Sequence, residues 1–366
     1  MNIIILKTQM LVLLTGVLLL VSCNPEVKQL TNEEAAVFAK EIEIAIKKGD
    51  GDFLNDAFDK EEFIKKMGLP DTDEGKGFAK GVAQKITIGT QIVNGLSDHD
   101  NFEFIRQYVK ENRQHVIFRV YTDKDASLNY QDYELIKTNE KCRVADLYIY
   151  ITGETLAETM RNMFNSLYPE SFGSGGLTEN EKMADMGKLK ELKELMHTGK
   201  NAAAKKMYDA LPDYLKKTKT VSVLDVLICA NLPLEDYNAA IKGFQEKFPD
   251  EPNMSLMKID GYYLQKDYTK MLAAVNALDS QINKDPLLDY HRYLSYNLLE
   301  DKKNSMISLR RLVKNMPGFQ KGVIELIAVD LKQNNNKTEA DSLITLYRKN
   351  ARFNQGELNT VINYYQ

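Results

Sequence analysis

The spacing of apolar side chains changes twice along this chain, and each change marks a different kind of element. Ala35, Phe38, Ile42, Ala45 and Ile46 recur at the 3.6-residue period of a helix, and Thr31-Asn32-Glu33-Glu34 ahead of them supplies a cap and first-turn acids. Gly49-Asp50-Gly51-Asp52 breaks the pattern. A second amphipathic helix is expected through Phe53, Leu54, Phe58, Phe63, Ile64 and Met67, ending near Gly68-Leu69-Pro70, and a third through Phe78, Val82, Ile86 and Ile92. The period then falls to two. Strands are expected from Phe102 to Tyr108 and over 115–122, 130–138 and 143–152, with polar turns between them. Helical spacing returns at Leu156, Met160, Met163, Phe164 and Leu167, and Pro169 with the Gly/Ser-rich stretch after it ends the run. Helices followed by four short strands predict an α+β unit built on an antiparallel meander.

In the last strand Ala145, Leu147, Ile149 and Ile151 form an apolar face expected to pack under the helices. Val144, Asp146, Tyr148 and Tyr150 then take the other face. With Tyr130 and Asp132 on the strand before, Asp146 and Tyr148 make a polar cluster. Tyrosines and carboxyl groups together can polarise a carbonyl or hold a proton. The simpler expectation is a solvated face, or one docked on the second half. The order of helices, then sheet, over roughly 31–153 resembles the nuclear transport factor two-like (cystatin-like) cone. That resemblance implies a hollow between helices and sheet that binds small ligands in some members and is occasionally catalytic.

From 177 to 366 the pattern is helical throughout, and it repeats. Ile241, Val275, Leu309 and Leu343 stand 34 residues apart; so do Phe244, Leu278, Leu312 and Leu346, and the small residues Ala240, Ala274, Ser308 and Ser342. Pro252 and Pro286 keep the same interval, as do Tyr262 and Tyr296, and Leu264 and Leu298. Tyr208 and Leu211 extend the apolar columns upstream with a one-residue slip. Two helices per 34-residue unit resembles the tetratricopeptide repeat, in some five units of which the first and last are degenerate. Tyr262 and Tyr296 depart from the family, which has a small residue there; Lys247, Gln281 and Asn315 replace its second small residue. The stretch 354–365 is expected to cap the array. The physical reading is that no helix pair buries its own apolar face, so neighbouring units share a core. The resemblance implies a groove lined by first helices that holds a peptide or a helix, with Tyr263, Gln265, Tyr290, Arg292, Tyr293 and Asn297 as candidate contacts.

The chain opens on an apolar run, Met10 to Val21, too short to cross a bilayer as a helix. It ends in Leu20-Val21-Ser22-Cys23 and gives way to polar residues. This resembles the lipobox of bacterial lipoproteins and implies cleavage before Cys23 and acylation of that cysteine. The expected organisation is a signal peptide over 1–22, a tether over 23–30, the α+β unit over 31–168, a linker over 169–176 and the repeat array over 177–366. No acidic run follows Cys23, such as some surface-displayed lipoproteins of Bacteroidota carry. A periplasm-facing site, on the outer membrane, is the expectation.

Composition narrows the function classes. A net charge of −4 over 366 residues gives no reason to expect a nucleic-acid binder. His99, His115, His197 and His291 are far apart and lack metal spacing. Asp71-Thr72-Asp73-Glu74-Gly75 lacks the ligand and glycine positions of a calcium loop, and Phe172-Gly173-Ser174-Gly175-Gly176 lacks the register of a nucleophile elbow. No phosphate loop, metalloprotease motif or Cys-x-x-Cys occurs. Cys142 and Cys229 are expected as buried free thiols, a disulfide between them in an oxidising compartment being the alternative. No cofactor and no enzymatic activity are expected. The leading expectation is an anchored scaffold that binds a protein or peptide through its repeats. Small-ligand binding or catalysis in the cone, with the repeats serving oligomerisation, is the alternative. Glycan uptake is weaker still, since the chain has no Trp for sugar stacking.

Overall fold

A computed structural model describes residues 29–97, 100–122, 127–168, 176–249, 254–334, 337–349 and 353–365. The expected signal segment, Cys23, His99, Pro252 and nearly all of the 169–176 linker lie outside them.

The first half begins with α1 (Asn32–Lys47), held by a reciprocal cap: Thr31 Oγ1 accepts from the Glu34 amide at 3.1 Å, and the Glu34 carboxylate accepts from the Thr31 amide at 2.8 Å. The second expected helix is two, α2 (Gly51–Ala57) and α3 (Lys60–Met67). The break has a cause. Phe58 bridges to Val144, the Asp59 amide donates to the Val144 carbonyl at 2.8 Å, and the Asp59 side chain caps α3. The third also divides, into α4 (Asp73–Gln84) and α5 (Ile88–Gly95). Here Gly89 of α5 lies against the Gly51 backbone of α2, where a Cβ on either would collide with main chain. Asn55 seals the contact, accepting from the Gly89 amide at 2.8 Å and donating to Thr90 Oγ1 at 2.7 Å.

The sheet is an antiparallel meander in sequence order: β1 (Asn101–Lys110), β2 (Arg113–Thr122), β3 (Ser127–Thr138), β4 (Lys141–Ile149) and a two-residue β5 (Glu154–Thr155) not expected from the pattern. Two hairpins turn on Glu111-Asn112 and Asn139-Glu140, all four residues at positive φ, the geometry that matches strand twist in two-residue loops. Thr155 and Glu158 form a second reciprocal cap on α6 (Leu156–Leu167). Arg161 ties that helix back to the Met67 carbonyl at 2.8 Å.

One expectation about β4 is corrected. The register shifts between Glu134 and Leu135, so the β4 residue Ala145 bulges and the alternation flips there. Val144, Leu147 and Ile149 pack on the helix side, whereas Tyr148, Tyr150 and Ile151 face the array. A period-two reading cannot see a bulge, because one extra residue inverts every assignment on one side of it.

The second half is a helical-repeat array of paired helices. It runs α7 (Glu179–His197), α8 (Asn201–Asp209) and short α9 (Asp213–Lys216), then α10 (Lys219–Cys229) with α11 (Leu234–Lys247). The pairs α12 (Met254–Leu264) with α13 (Tyr268–Ile282), and α14 (Leu288–Leu298) with α15 (Lys302–Asn315), follow. Then come α16 (Gln320–Val329), a π turn over Asp330–Asn334, α17 (Lys337–Arg348) and α18 (Gln355–Tyr365). The 34-residue columns are its core: Ile241, Val275 and Leu309 are buried, as are Phe244, Leu278 and Leu312. The small column holds for Ala240, Ala274 and Ser308, but Ser342 is exposed in the last pair. Helix α18 seats Leu358 against α16 and α17 and closes that end.

The two halves share a core. Ile117, Tyr121, Leu128, Tyr130 and Tyr150 from the sheet's second face pack with Leu256, Ile259, Leu278 and Leu288 from α12, α13 and α14. A second tie joins β5 and the turn before it to α10, where Thr220 donates to Glu154 at 2.6 Å and Lys219 to the Gly153 carbonyl at 3.0 Å. Cys142 is half-buried and Cys229 buried, both as free thiols. Burial pushes each up to about 12, far from a reactive thiolate.

Candidate functional site

Successive first helices of the array, α10, α12 and α14, present one face to the end of the sheet. Between them lies a cleft of about 400 Å³. Its walls are mostly apolar: Val226 and Leu227 from α10, Met257 from α12, Leu294 from α14, and Leu128 and Ile151 from the sheet side. Four tyrosines, Tyr121, Tyr237, Tyr263 and Tyr290, also line it, with Asn231, Asp260 and His291. The helical repeat sets this composition. Residues one turn apart on a first helix share a face, so Asp260 and Tyr263 open together onto the cleft.

Electrostatics distinguish one residue there. Asp260 is exposed along the cleft, yet protein atoms crowd round its carboxyl, and that enclosure pushes its pKa up to about 6. Tyr237 donates a hydrogen bond to it, and burial together with this carboxylate drives the phenol well above its ordinary range. His291 is half-buried; enclosure, helped by Lys321, lowers it to about 4, so its imidazole is neutral at pH 7. Asp260 is therefore the one formal charge among the described residues that line the cleft.

The expected groove contacts separate. Tyr263 is 48% exposed and lines the cleft. Tyr290 lines it too but is buried, its ring meeting Phe319 edge to face at 5.5 Å. Tyr293 is buried in the next core and donates to Glu325 at 3.0 Å. Arg292 lies away from the cleft, bonded to Asp279 at 2.6 Å, Asp289 at 2.9 Å and Asn276 at 2.9 Å. Gln265 and Asn297 are exposed and do not line the cleft. Helix spacing picks out Tyr263 but does not separate groove from core, because both faces of a first helix carry tyrosine. Asp260, Tyr237 and His291 were missed. Asp260 had a signal in its place one turn before Tyr263; Tyr237, on a second helix, had none.

The sheet cluster Tyr130, Asp132, Asp146 and Tyr148 does not assemble into one site. Tyr130 is fully buried and donates to Asp285 of the array at 2.7 Å. Asp285 also takes the guanidinium of Arg119, which bonds Glu103 as well. Asp132 accepts from Tyr108, and His115 Nδ1 lies 3.1 Å from its other oxygen. Asp146 is buried and accepts from the amides of Leu147 at 2.8 Å and Ala157 at 3.1 Å, capping the start of α6. Burial still raises its carboxyl above the ordinary range. Tyr148 stacks edge-on against Tyr150 at 5.2 Å. The helix-facing side of the sheet is filled by Phe38, Phe63, Phe102, Phe118, Tyr133 and their neighbours. Among the described residues no group of His, Cys, Asp and Glu is placed to hold a metal ion, and no helix is long and apolar enough to cross a membrane.

No protein-family model matches the chain, and no curated protein sequence matches it. Among solved structures, one described as a MamA RS-1 ArsTM double mutant aligns at 16% identity with a TM-score of 0.39, over 45% of this chain and 94% of that one. An overlap so loose adds nothing to the helical-repeat architecture visible in the elements themselves.

Proposed function

We propose that the chain is an adaptor of a bacterial cell envelope, anchored by acylation of Cys23, that binds a protein or peptide segment in the cleft along its first helices. The cleft carries the binding half of this reading. It is apolar-walled, open along one side, and rimmed by an exposed tyrosine on a rigid helical scaffold, the arrangement by which grooves take an extended segment or a helix. The membrane half rests on Leu20-Val21-Ser22-Cys23, and the outer membrane facing the periplasm is the location that goes with it. The tether over 23–30 would hold the first half within about 25 Å of the lipid. In this reading the cone-like first half is a base for the array, not an enzyme: its interior is packed with aromatic side chains, and the side chains of its polar cluster are taken up by structural hydrogen bonds.

Two experiments test the halves separately. Cys23→Ala should move the protein from the membrane to the soluble fraction without lowering its melting temperature; unchanged fractionation removes the anchor. A photo-crosslinking amino acid in place of Tyr263 should yield a discrete, saturable adduct in intact cells, and the same group at exposed Asn297 should not. The absence of any adduct at Tyr263 removes the binding role.

A further inference from the structure

Resting on that reading, we infer that the cleft selects a partner segment carrying one lysine or arginine between apolar residues, the cation pairing with Asp260 and meeting tyrosine rings while its neighbours fill the apolar walls. The cleft's charge balance points there. Asp260 is exposed on a largely apolar cleft, with the neutral hydroxyl of Tyr237 bonded to it. No lysine or arginine is among the described residues lining the cleft, and His291 is neutral. A segment that covers the cleft takes water from this carboxylate, and a bound cation is what most effectively offsets that cost. Tyr263, 48% exposed on the same cleft, strengthens the preference, since ring faces attract ammonium and guanidinium groups, more so when water is excluded. An acidic segment would instead bring like charge against Asp260. A purely apolar one would bury the carboxylate without a partner. About 400 Å³ accommodates a few side chains and not a folded domain, which limits the recognised unit to a short segment.

The test is selection of displayed random dodecapeptides on the immobilised full-length protein, followed by fluorescence anisotropy with the best binder and its analogue carrying norleucine in place of the basic residue. Selected sequences should share a lysine or arginine flanked by apolar residues. Norleucine should weaken binding to the wild type about ten-fold, and to Asp260→Asn less than about three-fold. Asn is nearly isosteric and keeps an acceptor for Tyr237. Tyr263→Ala, at an exposed position, should weaken the basic peptide in a protein whose melting temperature is unchanged. Selected peptides without a basic residue, or an equal norleucine penalty in wild type and Asp260→Asn, overturn the inference and leave the binding reading intact. Competition by free n-butylammonium at the peptide's own concentration would make this a small-amine site and also overturn it. If no peptide is selected at all, the binding reading fails and the inference with it.

Discussion

The two faces of the sheet are both buried, but they are buried differently. The helix-facing side is almost wholly apolar: Phe118 stacks on Phe102 at 4.8 Å and meets Tyr133 edge-on at 5.2 Å. The array-facing side mixes Ile117, Leu128 and Tyr150 with a buried ionic group, Arg119 with Asp285, joined by Tyr130. Arg119 and Asp285 side chains are 1% and 0% exposed. An apolar face supplies attraction without direction, since burial is roughly proportional to area. A buried pair tolerates little displacement, because a slipped charge is left unpaired at low dielectric. The helix side therefore accounts mainly for the stability of the first half, and the array side for its position on the second.

The sharpest way to break that contrast is on the apolar face. Phe118→Ala should destabilise by about 3–5 kcal/mol, read by chemical denaturation, through lost burial and the cavity left behind. A loss under about 1 kcal/mol would show that this core is loosely packed. On the other face, Asp285→Ala should cost about 3 kcal/mol, since it leaves buried Arg119 with Glu103 alone and takes the acceptor from Tyr130. The double variant Arg119→Met with Asp285→Leu should be the milder, since neither charge then remains. If the double is worse than the single, the pair contributes attraction and not mainly specificity. Smaller is the effect of Thr155→Ala, which removes the side-chain half of the reciprocal cap joining β5 to α6, at about 1 kcal/mol.

The smallest effect lies in the cleft and depends on pH. Asp260 is raised from 3.8 to about 6 in the folded chain, so its contribution is fully present below about pH 4 and is lost as pH rises through 6. Asp260→Asn should therefore melt slightly higher than wild type at pH 8, with the difference vanishing below pH 4. A constant difference across that range would show that the carboxyl is not held up by its surroundings.

Much of the architecture was legible in spacing alone. The 34-residue columns identified the array and its core-facing residues, because in a solenoid each unit contacts only its neighbours and repeats the same burial. The turn at Asn139-Glu140 and the Thr31 cap were readable for a similar reason, being local. What failed was non-local. The split of the second helix at Phe58 follows from Val144, far along the chain, and the split of the third is accompanied by a glycine contact with α2. The place of Val144 on the helix side of β4 follows from one bulged residue. Tyr130 belongs to a face expected to be solvated or docked on the second half; it is docked, through Asp285, a partner no periodicity could name.

By itself the sequence determined which segments are helix or strand, which side chains seek burial, and that the second half repeats, since backbone preference and apolar period act within a few residues. Only the tertiary structure decided what covers the sheet's second face, which tyrosines are core and which open onto a cleft, and that Asp260 is the one formal charge among the described residues lining it. Those outcomes depend on which distant surfaces meet, and the free energy of a charge or a ring is set by its surroundings and not by its place in the chain.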